Sequence, residues 1–156
     1  MSTAIRLRGV CKTYIVGESQ VRALENVSLE VQSDSFVSLI GPSGCGKSTI
    51  LKLLAGLTRP STGVIEFWGS LIQGINKQVG YVTQDHNLYP WLTLRENVEF
   101  PLLARGVERE ERQRRVGELI HLVGLSGFEN AYPNELSGGM QKRGSIIRTL
   151  IYDPEV

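Results

Sequence analysis

A glycine-rich octapeptide constrains the fold of this chain more than any other feature of its sequence. The segment Gly41-Pro42-Ser43-Gly44-Cys45-Gly46-Lys47-Ser48 fits the pattern G-x-x-x-x-G-K-[ST]. It follows Phe36–Ile40, a short and mostly apolar run that predicts a buried parallel strand. It precedes apolar residues at the spacing of one helix face: Ile50, Leu53, Leu54 and Leu57. The order of strand, glycine-rich loop and helix is the context in which this motif holds the phosphates of a nucleoside triphosphate.

The residue types of the octapeptide suit phosphate binding. Backbone N–H groups from about Gly44 to Thr49 converge on phosphate oxygens only where side chains do not crowd the loop, which favours glycine. Lys47 can reach the β and γ phosphates, and the Ser48 hydroxyl is placed to bind Mg²⁺. Cys45 has no partner cysteine nearby, so it is assigned no redox role. The predicted phosphate site comprises Gly41, Pro42, Ser43, Gly44, Cys45, Gly46, Lys47, Ser48 and Thr49.

Composition excludes several other classes of protein. The chain has 156 residues, of which 41% are hydrophobic and 21% charged, as expected for one globular domain. The net charge of +1 gives no basic field, so nucleic acid is not expected as a partner. No apolar stretch approaches the roughly 20 residues of a membrane span. The start lacks the apolar core of a secretory signal and two cysteines give no disulfide framework, which favours a reducing cytoplasm.

Alternating patterns predict an antiparallel sheet near the start of the chain. Residues 4–10 and 27–31 alternate apolar and polar side chains, and a turn-like segment, residues 16–19, lies between them. Val64–Trp68 and Val79–Thr83 are further strand candidates, bounded by turn residues.

Three helices are predicted after residue 84. Thr93 and Glu96 form a capping box that opens a helix to about Ala104. A second helix begins near residue 108, with glutamate and arginine paired four residues apart at 108/112, 110/114 and 111/115. A third runs from near Gly138 to before Asp153. The residues expected to face inward are Val116, Leu119, Ile120 and Val123 in the second helix, and Ile147, Leu150 and Ile151 in the third.

A second glycine cluster, about ninety residues after the first, identifies a family. The segment Leu136-Ser137-Gly138-Gly139-Met140-Gln141-Lys142-Arg143 resembles the signature sequence of the ATP-binding cassette (ABC) family, whose members power transporters. Gln84, which closes the predicted strand, is similar to the Q-loop glutamine of that family. Tyr14 is similar to the aromatic residue that stacks on adenine, and residues 23–29 to the lead-in to the phosphate-loop strand.

The resemblance implies a fold and a set of ligands. The implied fold class is α/β, a P-loop NTPase of the ABC ATPase type with an antiparallel β subdomain and a helical signature subdomain. Its parts are residues 1–35 (antiparallel β subdomain), 36–84 (P-loop core), 85–140 (helical subdomain) and 141–156 (signature helix and stop). The implied ligands are ATP and Mg²⁺, with adenine against Tyr14 and Mg²⁺ held by Ser48 and Gln84.

The resemblance also implies partners. Ser137, Gly138, Gly139 and Met140 would act in trans, on a nucleotide held by the phosphate loop of a second subunit in a head-to-tail homodimer or paired dimer. The segment Asp85–Phe100 would face a membrane permease, which implies a peripheral protein at the cytoplasmic face of the inner membrane. Its Pro90-Trp91-Leu92-Thr93 looks like the importers for nitrate, sulfonate, taurine or bicarbonate. The implied function is ATP hydrolysis coupled to solute import.

Some family residues are expected to be absent from these 156 residues. In the family, an aliphatic strand after the signature helix ends in the Walker B Asp and the catalytic Glu, and a switch His follows later. The sequence reaches Val156 where that strand would begin, and Glu155 lies at its wrong end. The expectation is a C-terminally truncated member with an incomplete core sheet, poor solubility and no hydrolysis of its own.

Two local departures and two alternative functions complete the sequence-based interpretation. Gly144 and Ile147 stand at positions where the family has small aliphatic residues, and both are expected to cost helix or core stability. One alternative is a soluble ABC-type ATPase of DNA repair or translation. The other is a non-catalytic nucleotide-binding remnant.

Overall fold

The computed structural model describes residues 2–156, which divide into two compact units after Val79. The first unit is built on a sheet and the second, Gly80–Val156, on helices. Each has its own cluster of buried hydrophobic residues. No helix among the described residues has the length and apolar character needed to cross a bilayer.

The first unit is a four-stranded antiparallel sheet with one helix. The strands are β1 (Thr3–Val16), β2 (Ser19–Gln32), β3 (Thr62–Phe67) and β4 (Ser70–Leu71), in the order β2-β1-β3-β4. The predicted hairpin is confirmed, with its turn at Gly17, whose φ is +62°. α1 (Lys47–Leu54) buries Ile50 and Leu53 with the sheet's apolar residues.

Two predicted strands are not formed. Phe36–Ile40 has no regular structure, and Phe36 and Ile40 are 96% and 95% exposed. Val79–Thr83 is a bend followed by irregular chain. A strand is held by hydrogen bonds to a neighbouring strand, and no described residue forms a β ladder with either segment.

The last residue of the predicted apolar stripe, Leu57, lies beyond the end of α1. Leu57 is exposed because the helix ends at Leu54. Gly56 has a φ of +68°, and a Cβ atom on it would lie 1.8 Å from the carbonyl oxygen of Gly74. Only glycine fits where the chain leaves α1.

The second unit packs three helices around one core. These are α2 (Leu94–Ala104), α3 (Arg109–Leu122) and α4 (Gly138–Leu150), with a short 3-10 turn at Pro133–Glu135. The capping box at Thr93 is confirmed, since its hydroxyl accepts the Glu96 N–H at 3.3 Å and its own N–H donates to the Glu96 carboxylate at 2.7 Å. Val116, Ile120, Ile147 and Ile151 are buried as predicted, and Leu119 and Val123 are partly buried.

Three expectations for these helices are wrong. Leu150 is 48% exposed, because Ile147 and Ile151 already fill the inward stripe at the end of α4. Arg114 pairs with Glu111 and Glu118 at 2.8 and 2.6 Å and not with residue 110. Arg112 pairs with Glu99 of α2 at 2.7 Å and not with residue 108.

Gly144 has a packing reason that its sequence position did not show. A Cβ atom on Gly144 would lie 2.9 Å from Cδ1 of Leu94 and 3.4 Å from Cδ1 of Leu88. The missing side chain therefore lets α4 lie close against the start of α2. Ile147 is 1% exposed and belongs to the core between the helices.

Candidate functional site

The phosphate loop, defined as Gly41–Ser48, runs into the N-terminus of α1. Gly46 is the N-cap with a φ of +95°, and no side chain caps the helix. A Cβ atom on Gly46 would lie 2.6 Å from both the Ala23 carbonyl oxygen and Cδ2 of Leu24, so the loop rests directly on β2. The N–H groups of the first turn of α1 are thus left without a side-chain acceptor and suit an anion.

Lys47 lies inside this loop. Its ammonium donates hydrogen bonds to the carbonyls of Gly41 and Pro42, both at 2.7 Å, and is 3.5 Å from the Cys45 sulfur. Ser48 is exposed on the first turn of α1, and Thr49 beside it is half-buried. A cation, a hydroxyl and uncapped N–H groups are therefore gathered at one helix end, an arrangement that can bind a phosphorylated ligand.

Tyr14 lies on β1 of the same unit. It is half-buried and paired with Val21, and the Lys12 amine is 5.0 Å from its ring centroid. Lys12 is paired with Leu24, the residue that supports Gly46. Two positions along β1, about 7 Å, separate Tyr14 from Lys12. Lys12 is not among the predicted site residues, although its place two residues before Tyr14 puts both on one face of the strand.

Ser137 begins α4 as its N-cap. Its hydroxyl accepts the Met140 N–H at 3.3 Å, and Ser137, Gly138 and Gly139 are exposed. Nothing in the described chain lies within 4 Å of a Cβ atom placed on Gly139, and one on Gly138 would make only an ordinary contact, 3.8 Å from His86. Packing within the chain therefore explains Gly144 but not these two glycines.

Leu136 and Gln141 hold the start of α4 against the rest of the helical unit. Leu136 is 5% exposed in the core of the helical unit. The Gln141 side-chain amide donates to the carbonyls of Pro133 at 2.7 Å and Leu136 at 3.1 Å. These contacts fix the backbone that leads into the helix, so the exposed turn at its N-terminus is rigidly presented.

Gln84 lies on a bend beside α4, with its residue exposed. The Lys142 ammonium donates to the Thr83 carbonyl at 2.7 Å and to the Gln84 carbonyl at 3.4 Å. Lys142 thus holds the main chain of this bend, a role that its position in the signature segment did not reveal. Gln84 belongs to the helical unit and Ser48 to the sheet unit, so their joint action on Mg²⁺ stays a prediction.

The loop from Tyr89 to Thr93 is built around Asn97 of α2, which has no exposed surface. The Asn97 amide oxygen accepts the Tyr89 N–H at 2.7 Å. Its amide nitrogen donates to the carbonyls of Tyr89, Leu92 and Thr93 at 3.1, 2.9 and 3.0 Å. Asn97 is not among the predicted site residues, because one polar residue among apolar helix positions does not by itself indicate a buried side chain with several hydrogen bonds.

Three aromatic residues form a patch on this loop and the adjoining helix. The Trp91 ring stacks on Tyr89 with centroids 5.5 Å apart, and Phe100 meets Tyr89 edge-on at 5.2 Å. Trp91 is nevertheless 70% exposed and Phe100 43% exposed. We call Tyr89, Trp91 and Phe100 the aromatic patch, an exposed apolar surface of the kind that marks protein contacts.

Comparison with known protein families agrees with the family that the two glycine-rich motifs indicate. The ABC transporter family matches residues 24–156, so this chain belongs to that family.

Relatives and a solved structure support the same assignment. An uncharacterized ABC transporter ATP-binding protein of Methanocaldococcus jannaschii is 41% identical over all of this chain and 58% of its own length. The methionine import ATP-binding protein of Geobacillus kaustophilus is 42% identical over 97% of this chain and 47% of its length. The aliphatic sulfonates import ATP-binding protein of Bacillus cereus is 40% identical over 97% and 59%. The chain therefore spans about half the length of the curated relatives it matches.

The fold class predicted from the sequence is confirmed by structure. The dimeric structure of an ATP-binding cassette in a post-hydrolysis state, bound to ADP and phosphate, matches with a TM-score of 0.86 and 37% identity. The match covers 96% of this chain and 70% of that one. The chain has the α/β fold of an ABC ATPase cassette.

Proposed function

We propose that residues 1–156 bind Mg-ATP as part of the ATP-hydrolysing subunit of a solute importer. The observation that carries the proposal is the Lys47 ammonium held within the phosphate loop, at the uncapped N-terminus of α1. ATP binding is proposed for this chain, and hydrolysis coupled to transport for the whole protein.

The proposed nucleotide contacts follow the sequence prediction. The phosphate loop and Thr49 hold the phosphates, and the Tyr14 ring takes the adenine. No group of three acidic, histidine or cysteine side chains suited to a metal occurs among the described residues. Mg²⁺ would take oxygen donors from Ser48, Gln84 and the phosphates, because this cation prefers oxygen ligands.

The signature segment is proposed to act on a nucleotide bound by a second subunit. Support comes from Gly138 and Gly139, which are exposed at a helix N-terminus and whose lack of side chains is not explained by packing against any of residues 2–156. Bare backbone there allows close approach by phosphate oxygens, with Ser137 and Met140 beside them. The subunits would pair head to tail.

The partner proposed for the segment Asp85–Phe100 is a membrane permease. The aromatic patch supplies exposed apolar surface, and Asn97 holds its loop in one conformation. The protein would then lie at the cytoplasmic face of the inner membrane. We propose a solute of the nitrate, sulfonate, taurine or bicarbonate kind, a choice that the sulfonate import relative supports. The methionine import relative favours an amino acid instead.

Titration of the chain with Mg-ATP, followed by calorimetry, tests the nucleotide site. Lys47→Ala should raise Kd by at least about tenfold, because a charge-assisted contact to phosphate is lost. Lys52→Ala is the matched control, an exposed lysine in the last turn of the same helix, and should leave Kd unchanged. Equal affinities for wild type and Lys47→Ala would overturn the proposed site.

Co-purification from membranes with the full-length subunit tests the docking surface. Trp91→Ala should reduce recovery of the membrane subunit severalfold. Leu122→Ala removes a side chain that is 76% exposed on α3, outside the aromatic patch, and should not. Undiminished recovery with Trp91→Ala would exclude the patch as the permease contact.

A further inference from the structure

An arginine of α4 contacts the loop that carries the aromatic patch. We propose that Arg148 is a positioning residue that couples this loop, Asn87–Thr93, to the signature at the start of α4. The inference rests on the proposed docking of the aromatic patch to a permease. It adds the route by which that contact would reach Ser137–Gly139.

Two contacts join Arg148 to the loop. Its guanidinium donates a hydrogen bond to the Asn87 carbonyl at 2.7 Å. The guanidinium carbon also lies 4.9 Å from the centroid of the Tyr89 ring, a cation–π distance. Arg148 is half-buried, and its guanidinium is held by both a backbone carbonyl and an aromatic ring of the loop.

The loop conformation is adapted to this contact. Asn87 has a φ of +48°, in the left-handed region that asparagine tolerates better than most residues. Its carbonyl direction is therefore set by an uncommon backbone conformation. Tyr89, the other residue that Arg148 contacts, stacks on the exposed ring of Trp91. A continuous series of contacts thus runs from the Trp91 surface through Tyr89 to Arg148.

The helix carries the contact onward. Arg148 and Ser137 are eleven residues apart on α4, which corresponds to about 16 Å along a helix axis. A helix packed in a core moves as one body, so displacement of the loop is passed to the turn at Ser137–Gly139. Lys142, through its bonds to Thr83 and Gln84, fastens the same helix to the bend before the loop.

A second arginine in this unit makes the same kind of contacts elsewhere. Arg105 donates to the Tyr152 carbonyl at 3.3 Å, and its guanidinium carbon lies 4.2 Å from the Tyr152 ring centroid. This pair joins the end of α2 to the segment after α4 and does not involve the loop. Arg105→Met therefore removes equivalent chemistry and serves as a matched control for Arg148→Met.

The test uses the full-length subunit with the membrane subunit that co-purifies with it, reconstituted in phosphatidylethanolamine and phosphatidylglycerol vesicles. ATP hydrolysis is measured for the subunit alone and for the complex during transport. Arg148→Met should co-purify normally and keep hydrolysis by the free subunit within about twofold, but lose at least about tenfold of the stimulation in the complex. Arg105→Met should behave as wild type in all three measurements.

The outcomes separate the coupling role from docking and from stability. Full stimulation with Arg148→Met, or an equal loss with Arg105→Met, overturns the inference and leaves the docking proposal intact. Normal co-purification of Trp91→Ala overturns docking instead. If urea unfolding shows that Arg148→Met does not fold, Arg148→Lys replaces it. That variant keeps the charge but not the planar geometry, and should lose at least about threefold of the stimulation; unchanged stimulation would again overturn the inference.

Discussion

Asn97 satisfies both hydrogen-bonding groups of its side chain inside the helical unit, through four bonds to the loop from Tyr89 to Thr93. We expect Asn97→Asp to destabilise the fold by about 3 kcal/mol, because a carboxylate would face three carbonyls with no donor to offer them. Urea unfolding followed by tryptophan fluorescence in a Trp68→Phe background, where Trp91 is the reporter, measures this.

The control for that substitution is Asn134→Asp. Asn134 is exposed, so the same change of one amide to a carboxylate should shift the unfolding free energy by less than about 0.5 kcal/mol. A small effect of Asn97→Asp, similar to that of the control, would mean that the loop does not depend on the Asn97 amide.

At the scale of single residues, motifs indicated the candidate site residues, whereas no sequence pattern indicated the residues that support them. Lys47 and Ser137 belong to sequence motifs that can be recognised because phosphate binding restricts which residue types fit. Asn97 and Arg148 donate hydrogen bonds to backbone carbonyls, and every residue type carries a carbonyl, so the sequence does not indicate which residues accept these bonds. Such partners become visible only when the chain is folded.

Two glycines inside helices offer a paired prediction at the level of the element. Gly144→Ala should destabilise the protein by at least about 1 kcal/mol, because overpacking against Leu94 exceeds the gain in helix propensity. Gly117→Ala on α3, where nothing described lies within 4 Å of the new Cβ, should stabilise it by about 0.5 to 1 kcal/mol. Chemical denaturation of both variants decides the matter, and shifts of the same sign would refute the packing role of Gly144.

The capping box of α2 predicts a pH dependence. The Thr93 N–H, and then the Thr93 hydroxyl, lower the pKa of Glu96 below its ordinary value of 4.5. A depressed pKa means that the carboxylate contributes stability above that value, and the contribution is lost as pH falls through the folded pKa. Glu96→Gln should therefore be less stable than wild type at pH 7, with the difference shrinking below pH 4.5.

Urea midpoints of wild type and Glu96→Gln at pH 7 and pH 3 provide the measurement. Glu110→Gln, an exposed glutamate in the first turn of α3, controls for removal of a charge near a helix start. A difference between Glu96→Gln and wild type that is as large at pH 3 as at pH 7 would exclude the charged cap.

Helices were predicted well and strands only in part, for a physical reason. A helix bonds within its own segment, so Thr93, Ser137 and their apolar stripes define α2 and α4 locally. A strand requires a neighbour, which β1 and β2 find in each other across one turn. The apolar pattern of Phe36–Ile40 does not show which strand it would pair with, and in the structure the segment is irregular.

That irregular segment dominates the expected behaviour of the whole chain in solution. Phe36 and Ile40 expose almost their entire side chains, and exposed apolar residues on unpaired backbone favour association between copies. We expect the 156-residue chain to self-associate, and Phe36→Ser with Ile40→Ser to reduce this.

Light scattering over a range of concentrations measures that association. Ile15→Ser with Val16→Ser is the control, because these residues are 78% and 64% exposed but lie on strands paired in the hairpin. Two results would contradict the proposal that Phe36 and Ile40 cause self-association. One is a wild-type chain that remains monomeric, and the other is a control that improves solubility as much as the Phe36 and Ile40 changes.

Asn97 recognises only backbone atoms of its loop: the N–H and carbonyl of Tyr89 and the carbonyls of Leu92 and Thr93. These four bonds therefore do not depend on the identity of the side chains at Tyr89, Leu92 and Thr93. Residues such as Pro90 and Trp91 can be exchanged during divergence, or by an engineer, while the scaffold beneath them persists. A single asparagine would thereby keep one loop backbone while a few surface substitutions change what the aromatic patch contacts.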